Sequence, residues 1–139
     1  MSPFTIDEPT VISFSGGRTS AYMLWRVLQE NDMKLPEEAI VCFANTGKED
    51  EETLKFIHNC QTQWNVPIVW LEWQEEAPKF KVVNFETASR NGEPFENCIK
   101  YYKKLPNPAQ RWCTGQLKIR TIHRYLRSLG WSHHETDND

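Results

Sequence analysis

Val11-Ile12-Ser13-Phe14 runs into Ser15-Gly16-Gly17-Arg18-Thr19-Ser20, and Ala21, Leu24, Trp25 and Leu28 follow at i, i+3, i+4 and i+7. This order predicts a strand over 10–15, a loop of small residues, and a helix over 19–31. Two adjacent glycines let the backbone turn sharply and approach a ligand closely. The first N–H groups of a helix have no partner inside it, and the helix dipole favours negative charge there. Ser15, Thr19 and Ser20 add hydroxyl donors. The stretch therefore reads as a site for pyrophosphate or sulfate, the alternative being a tight turn that binds nothing. It is neither a Walker A loop nor the Gly-x-Gly-x-x-Gly dinucleotide fingerprint.

Further along the chain, Ala39-Ile40-Val41-Cys42-Phe43-Ala44 is a continuous apolar run, as expected of a parallel strand covered on both faces. A second helix is expected over 50–63, carrying Leu54, Phe56, Ile57 and Cys60, and a third strand over 67–72. Alternating strands and helices predict an α/β fold: a Rossmann-like open parallel sheet with helices on both faces. Residues 80–85 read as a short edge strand and 88–94 as a loop. A short helix over 95–103 is broken by Leu105-Pro106-Asn107-Pro108. A last helix over 114–129 carries Ile122, Tyr125, Leu126 and Leu129. Residues 1–131 are expected to form one domain, with 132–139 a tail.

The chain has 139 residues, 39% of them hydrophobic and 12% aromatic, enough for a core without staples. No apolar run approaches the ~20 residues of a membrane helix, and the N-terminus lacks the pattern of a secretory signal. A cytoplasmic protein without a membrane partner is expected. The cysteines are Cys42, Cys60, Cys98 and Cys113, with no Cys-x-x-Cys pair. Cys42 and Cys60 read as core residues; Cys98 and Cys113 stay open.

Net charge is −3, but residues 99–131 hold eight basic side chains and no acidic one. Such one-sign segregation points to a polyanion, either nucleotide phosphates or a nucleic acid, or else to a basic face paired with the acidic remainder. Two further motifs lie in the chain. Asn45-Thr46-Gly47-Lys48-Glu49 follows the second strand; its side chains can reach a ribose or base, or simply form a turn before a helix. Glu49, Asp50, Glu51 and Glu52 read mainly as complements to that helix's dipole. Arg111-Trp112-Cys113-Thr114, with Lys118 and Arg120 beyond it, can surround phosphates with cations or form an ordinary basic helix. His58, His123, His133 and His134 read as surface or tail residues.

Taken together in order and spacing, three stretches resemble the phosphoadenosine phosphosulfate (PAPS) reductase family, PP-loop proteins of the adenine nucleotide α-hydrolase group. They are Ser13-Phe14-Ser15-Gly16-Gly17-Arg18-Thr19-Ser20, Phe43-Ala44-Asn45-Thr46-Gly47-Lys48-Glu49 with Glu52-Thr53-Leu54, and Arg111-Trp112-Cys113-Thr114 with Leu117-Lys118-Ile119. The chain looks closest to small members often carried by bacteriophages. The resemblance implies ATP or PAPS as ligand, with Mg²⁺ only for ATP. It implies that Ser15, Gly16, Gly17, Thr19 and Ser20 take the phosphate or sulfate end. Phe43, Ala44, Asn45 and Thr46, with Gly47, would face the adenosine. Arg111, Lys118 and Arg120 would close over the phosphates, and Arg18 would join Lys118 and Arg120 in stabilising a leaving anion.

The departures are specific. The family loop usually reads Ser-Gly-Gly-Lys-Asp-Ser, so Arg18-Thr19 keeps a cation and loses a carboxylate. The sequence lacks the Glu-Cys-Gly-x-His-like tail that carries the reductase nucleophile, and the cysteine pairs of the iron–sulfur branch, so no iron–sulfur cluster is expected. Cys113 is the one candidate nucleophile; otherwise an external thiol is required. Longer relatives continue where this sequence stops, so a minimal or C-terminally truncated fold is expected. A non-catalytic nucleotide-binding module and a sulfurtransferase-like component of nucleic-acid modification are the alternatives, and a homo-oligomer is left open.

Overall fold

The computed structural model describes residues 6, 8–102 and 115–131. The elements are β1 (Thr10–Ser13), α1 (Arg18–Glu30), β2 (Ala39–Ala44), α2 (Glu51–Gln63), β3 (Ile68–Trp73), β4 (Phe80–Val83) and α3 (Glu93–Tyr102). A π-helical segment (Gly115–Arg120) then leads into α4 (Thr121–Ser128). The strands form one sheet in the order β1-β2-β3-β4. The fold is thus α/β with a four-stranded, mostly parallel sheet. Among the described residues no helix is long and apolar enough to cross a membrane.

The chain gathers into two compact units. One combines the residues up to Phe43 with Asp50–Val69; the other combines Ala44–Glu49 with the residues from Trp70 onward.

In the first unit β1 and β2 run parallel, with Thr10 opposite Ala39 and Ser13 opposite Cys42. The ladder extends one residue further, where the Phe14 N–H donates to Cys42 O at 2.8 Å. β1 alternates exposed and buried side chains, whereas β2 is buried almost throughout. α1 buries Ala21, Leu24, Val27 and Leu28, and α2 buries Leu54, Ile57 and Cys60. Trp25, expected on the buried face of α1, is half-buried and packs against Trp64 at 5.5 Å between ring centroids. Phe56, expected on the apolar face of α2, stays 39% exposed. Glu51 and Glu52 occupy the first turn of α2, where their charge complements the dipole.

Burial pushes the Cys42 thiol from its ordinary 9.0 up to about 12. In the unfolded chain this thiol ionises from about pH 9, while the folded one stays protonated. Its contribution to stability is complete below pH 9 and is lost as pH rises toward 12. The slope is up to about 1.4 kcal/mol per pH unit. Urea unfolding of the parent chain and Cys42→Ala between about pH 8 and 11 is expected to show the parent losing stability more steeply.

In the second unit β3 and β4 are antiparallel, with Trp70 opposite Val83 and Glu72 opposite Lys81. Trp73, Cys98 and Phe95 pack together, which settles Cys98 as a buried core residue. α3 begins at Glu93, with Glu93 and Glu96 in its first turn. The Glu93 carboxylate is held below the ordinary range by its own backbone N–H and that of Asn91. α4 buries Thr121, Ile122 and Leu126, and Tyr125 meets Phe80 edge-on at 5.7 Å.

The single helix expected over 114–129 is therefore two pieces. The apolar positions that suggested it all lie beyond Arg120, so their 3.6-residue period carries no information about the wider π turns before it. Leu129, counted in that stripe, falls past the helix end and is 50% exposed. The break at 105–108 and the tail over 132–139 lie outside the described residues.

Candidate anion site and the turn after the second strand

The loop of residues 15–20 leaves β1 and enters α1 within the first unit. Ser15 Oγ and Ser20 Oγ lie 3.1 Å apart, and the Ser15 N–H points to Ser20 Oγ at 3.3 Å. The Gly17 N–H donates to Ser15 Oγ at 3.4 Å, and Ser20 Oγ donates to Gly17 O at 3.1 Å. Gly17 is the N-cap of α1 and supplies no side-chain cap; the first turn holds no acidic residue. The first helical bond, Ala21 N–H to Gly17 O, leaves the N–H groups of Arg18, Thr19 and Ser20 without intrahelical acceptors. Ser15, Gly17, Arg18 and Thr19 are exposed. The result is an open helix N-terminus with three N–H groups and an arginine and no carboxylate in its first turn, the two serine hydroxyls being bonded within the loop.

The two glycines differ in kind. Gly16 has φ +84, and a Cβ there would sit 2.8 Å from Thr53 Cγ2 and 3.0 Å from Ile57 Cδ1. Gly17 has ordinary extended backbone, and its added Cβ would meet only Ser15 Oγ at 3.6 Å. Gly16 thus lets the loop lie flat on α2, while Gly17 keeps the helix end open. Gly16→Ala is expected to cost about 2 kcal/mol, from left-handed backbone and crowding combined. Gly17→Ala is expected to cost less than about 0.5 kcal/mol. Urea unfolding of the two variants checks the order.

Asn45-Thr46-Gly47 belongs to the second unit and is tied into it on every side. The Asn45 N–H donates to Leu71 O at 2.8 Å. Its Nδ2 donates to Glu72 Oε2 at 2.8 Å and to Ser89 O at 2.9 Å, and its Oδ1 accepts from the Gly47 N–H at 3.1 Å. Thr46 Oγ1 donates to Glu49 Oε2 at 3.0 Å and accepts from the Lys48 N–H at 3.1 Å. Gly92 N–H donates to Gly47 O at 2.9 Å, and Phe95 N–H to Thr46 O at 3.2 Å. Asn45 is fully buried and Thr46 nearly so. Their side chains brace the turn, leaving Gly47, at φ +85, as its pivot.

Glu72 was not singled out in the sequence and is the centre of this bracing. It is fully buried, and besides Asn45 it accepts from the Ser89 N–H at 2.6 Å and from Ser89 Oγ at 2.8 Å. Lys81 Nζ stands 3.9 Å from Oε1. A lone carboxylate inside the apolar run Ile68-Val69-Trp70-Leu71-Glu72-Trp73 was the available signal. Beside it opens a cleft of about 420 Å³ that holds Glu72, Glu75, Glu76 and Glu93 against Lys81 and Lys100. That balance of charge repels a polyanion.

Of the remaining candidates, Phe43 and Ala44 are buried at the end of β2, and Lys118 and Arg120 are half-buried in the π-helical segment. Arg111 and Cys113 lie outside the described residues. Cys42, Cys60 and Cys98 are all buried, and burial pushes the Cys60 thiol up as it does that of Cys42. Among the described residues no group of three His, Cys, Asp or Glu is placed to hold a metal ion.

The fold and the loop define an α/β chain that opens on a strand, a glycine-containing turn and an uncapped helix. No family model matches it, and no solved structure matches it. It is similar to the uncharacterized nin region protein ORF290 of Escherichia phage lambda, 29% identical over 131 residues, covering 83% of this chain and 41% of that protein. It is also similar to the uncharacterized protein MJ0066 of Methanocaldococcus jannaschii, 26% identical over 121 residues, covering 87% of this chain and 20% of that protein. The chain thus spans less than half the length of both relatives.

Proposed function

We propose that this chain binds an adenine nucleotide, ATP or PAPS, through its phosphate or sulfate end at the loop of residues 15–20. On this reading the fold is that of an adenine nucleotide α-hydrolase, acting in the cytoplasm, a host's if the chain is phage-encoded. The single observation that carries the proposal is the uncapped start of α1, with its carboxylate-free first turn, on a loop that the Ser15 and Ser20 hydroxyls brace. Such a terminus offers oriented N–H donors and the positive end of a dipole to an anion. Arg18 adds a cation that can engage two oxygens at once. Lys118, Arg120 and the adenosine-facing role of residues 43–47 enter through the family resemblance. Asn45 and Thr46 are spent on internal hydrogen bonds, as are the Asn45 and Gly47 N–H groups and the Thr46 and Gly47 carbonyls, so that turn offers a base little beyond van der Waals contact.

Two reactions fit such a ligand. With ATP, a nucleophile attacks the α-phosphorus and pyrophosphate leaves, Mg²⁺ arriving with the substrate. With PAPS, a thiol attacks the sulfate sulfur and adenosine 3′,5′-bisphosphate leaves. Either relies on positioning and charge neutralisation. With Cys42, Cys60 and Cys98 buried, the second reaction is left to Cys113 or to an external thiol, the alternative being a binding module that does no chemistry.

The test is calorimetric titration of the full chain with ATP–Mg²⁺ and, separately, with PAPS. Binding of one of them is expected, with a loss of about tenfold or more in Ser15→Ala/Ser20→Ala. A folded protein that binds neither contradicts the proposal.

A further inference from the structure

Beyond Arg120, the acid-free segment carries two cations, Arg124 and Arg127, that nucleotide binding leaves unused. Arg120, Arg124 and Arg127 stand at i, i+4 and i+7, and with helical geometry they fall within one narrow sector. His123 borders the same sector. Ile122 and Leu126 occupy the opposite side and are buried. α4, with Arg120 as its N-cap, therefore carries cations on one edge and spends its apolar face inside the second unit, where Tyr125 packs on Phe80. Arg127 is exposed, whereas Arg120 and Arg124 are half-buried. Arg124 Nη1 is itself buried, and no described residue accepts a hydrogen bond from it.

The spacing decides what the stripe suits. Seven residues at about 1.5 Å each span roughly 10 Å. One strand of a duplex places about three phosphates along that length. ATP concentrates its charge at one end, and PAPS carries it at two points of a single ribose, so neither matches three cations so dispersed. A bilayer would need the apolar face of the helix, which is already buried. We propose that Arg120, Arg124 and Arg127 bind the sugar–phosphate backbone of a nucleic acid.

Fluorescence anisotropy of the full chain, with a labelled DNA duplex of about 20 base pairs and an RNA hairpin of similar size, tests this between about 50 and 300 mM salt. Binding to at least one is expected to weaken with salt, by a slope of about 0.9 in log K per log salt for each phosphate neutralised. Arg124→Gln/Arg127→Gln is expected to flatten that slope by about two and to cut affinity about tenfold or more at low salt. Arg124→Lys/Arg127→Lys retains the charge and is expected to keep most of the slope. Titration with ATP–Mg²⁺ or PAPS is expected to be unchanged in both variants, so failure of this proposal and failure of the nucleotide reading are distinguishable. The proposal is overturned if neither nucleic acid binds a folded sample at low salt. It is equally overturned if the glutamine variant leaves the slope intact, or if vesicles rich in phosphatidylserine bind where the nucleic acids do not.

Discussion

Glu72→Ala is expected to destabilise the protein by about 3–5 kcal/mol. The buried carboxylate takes hydrogen bonds from Asn45 Nδ2, the Ser89 N–H and Ser89 Oγ. Removing it strands the amide of the fully buried Asn45, whereas Ser89, half-buried at the cleft that Glu72 lines, is open to water in part. The loss of Lys81 as a partner adds little, because its side chain is 53% exposed and 3.9 Å away. Glu72→Gln is expected to cost only about 1 kcal/mol. Its amide oxygen can keep the Asn45 and Ser89 backbone donors, and the Ser89 hydroxyl can turn to accept from its NH₂. Urea unfolding of the two variants gives the comparison. A Glu72→Ala chain within about 1 kcal/mol of the parent would show that the bracing carries no weight.

Gly47→Ala is expected to cost about 3 kcal/mol, and for a different reason. Its φ is +85, and an added Cβ would lie 2.8 Å from Gly92 Cα and 2.9 Å from Gly92 N. Those are backbone atoms, and they are held by the Gly92 N–H to Gly47 O bond at 2.9 Å. The turn cannot yield without losing that bond. Gly92 also has positive φ, at +80, but its added Cβ would meet the Lys48 side chain, which is exposed and can swing aside. Gly92→Ala is therefore expected to cost about 1–2 kcal/mol. Thermal unfolding should place Gly47→Ala well below Gly92→Ala; the reverse order would mean that the contact across the turn is loose.

The sequence made the alternation of elements legible because burial leaves a period in the chain. β2 falls on residues 39–44 as read, since an apolar run covered on both faces has abrupt ends. β1 ends two residues earlier than read. Hydrophobicity does not mark the point where the backbone leaves the ladder and Ser15 turns toward Ser20. What the sequence could not carry was pairing at a distance. Asn45 looked like a residue waiting for a ligand, because its role depends on Glu72, 27 residues on, and Ser89, 44 residues on. Glu72 was visible only as an oddity in an apolar strand. The two glycines of the loop looked equivalent, and only the neighbouring Thr53 and Ile57 of α2 make Gly16 the constrained one.

If an anion sits on the loop of residues 15–20, backbone amide NMR of the full chain will see it. On addition of PAPS or ATP–Mg²⁺, saturable shifts are expected, led by the N–H signals of Arg18, Thr19 and Ser20, where uncapped donors meet the dipole. Saturable binding that leaves those amides unmoved would contradict that placement.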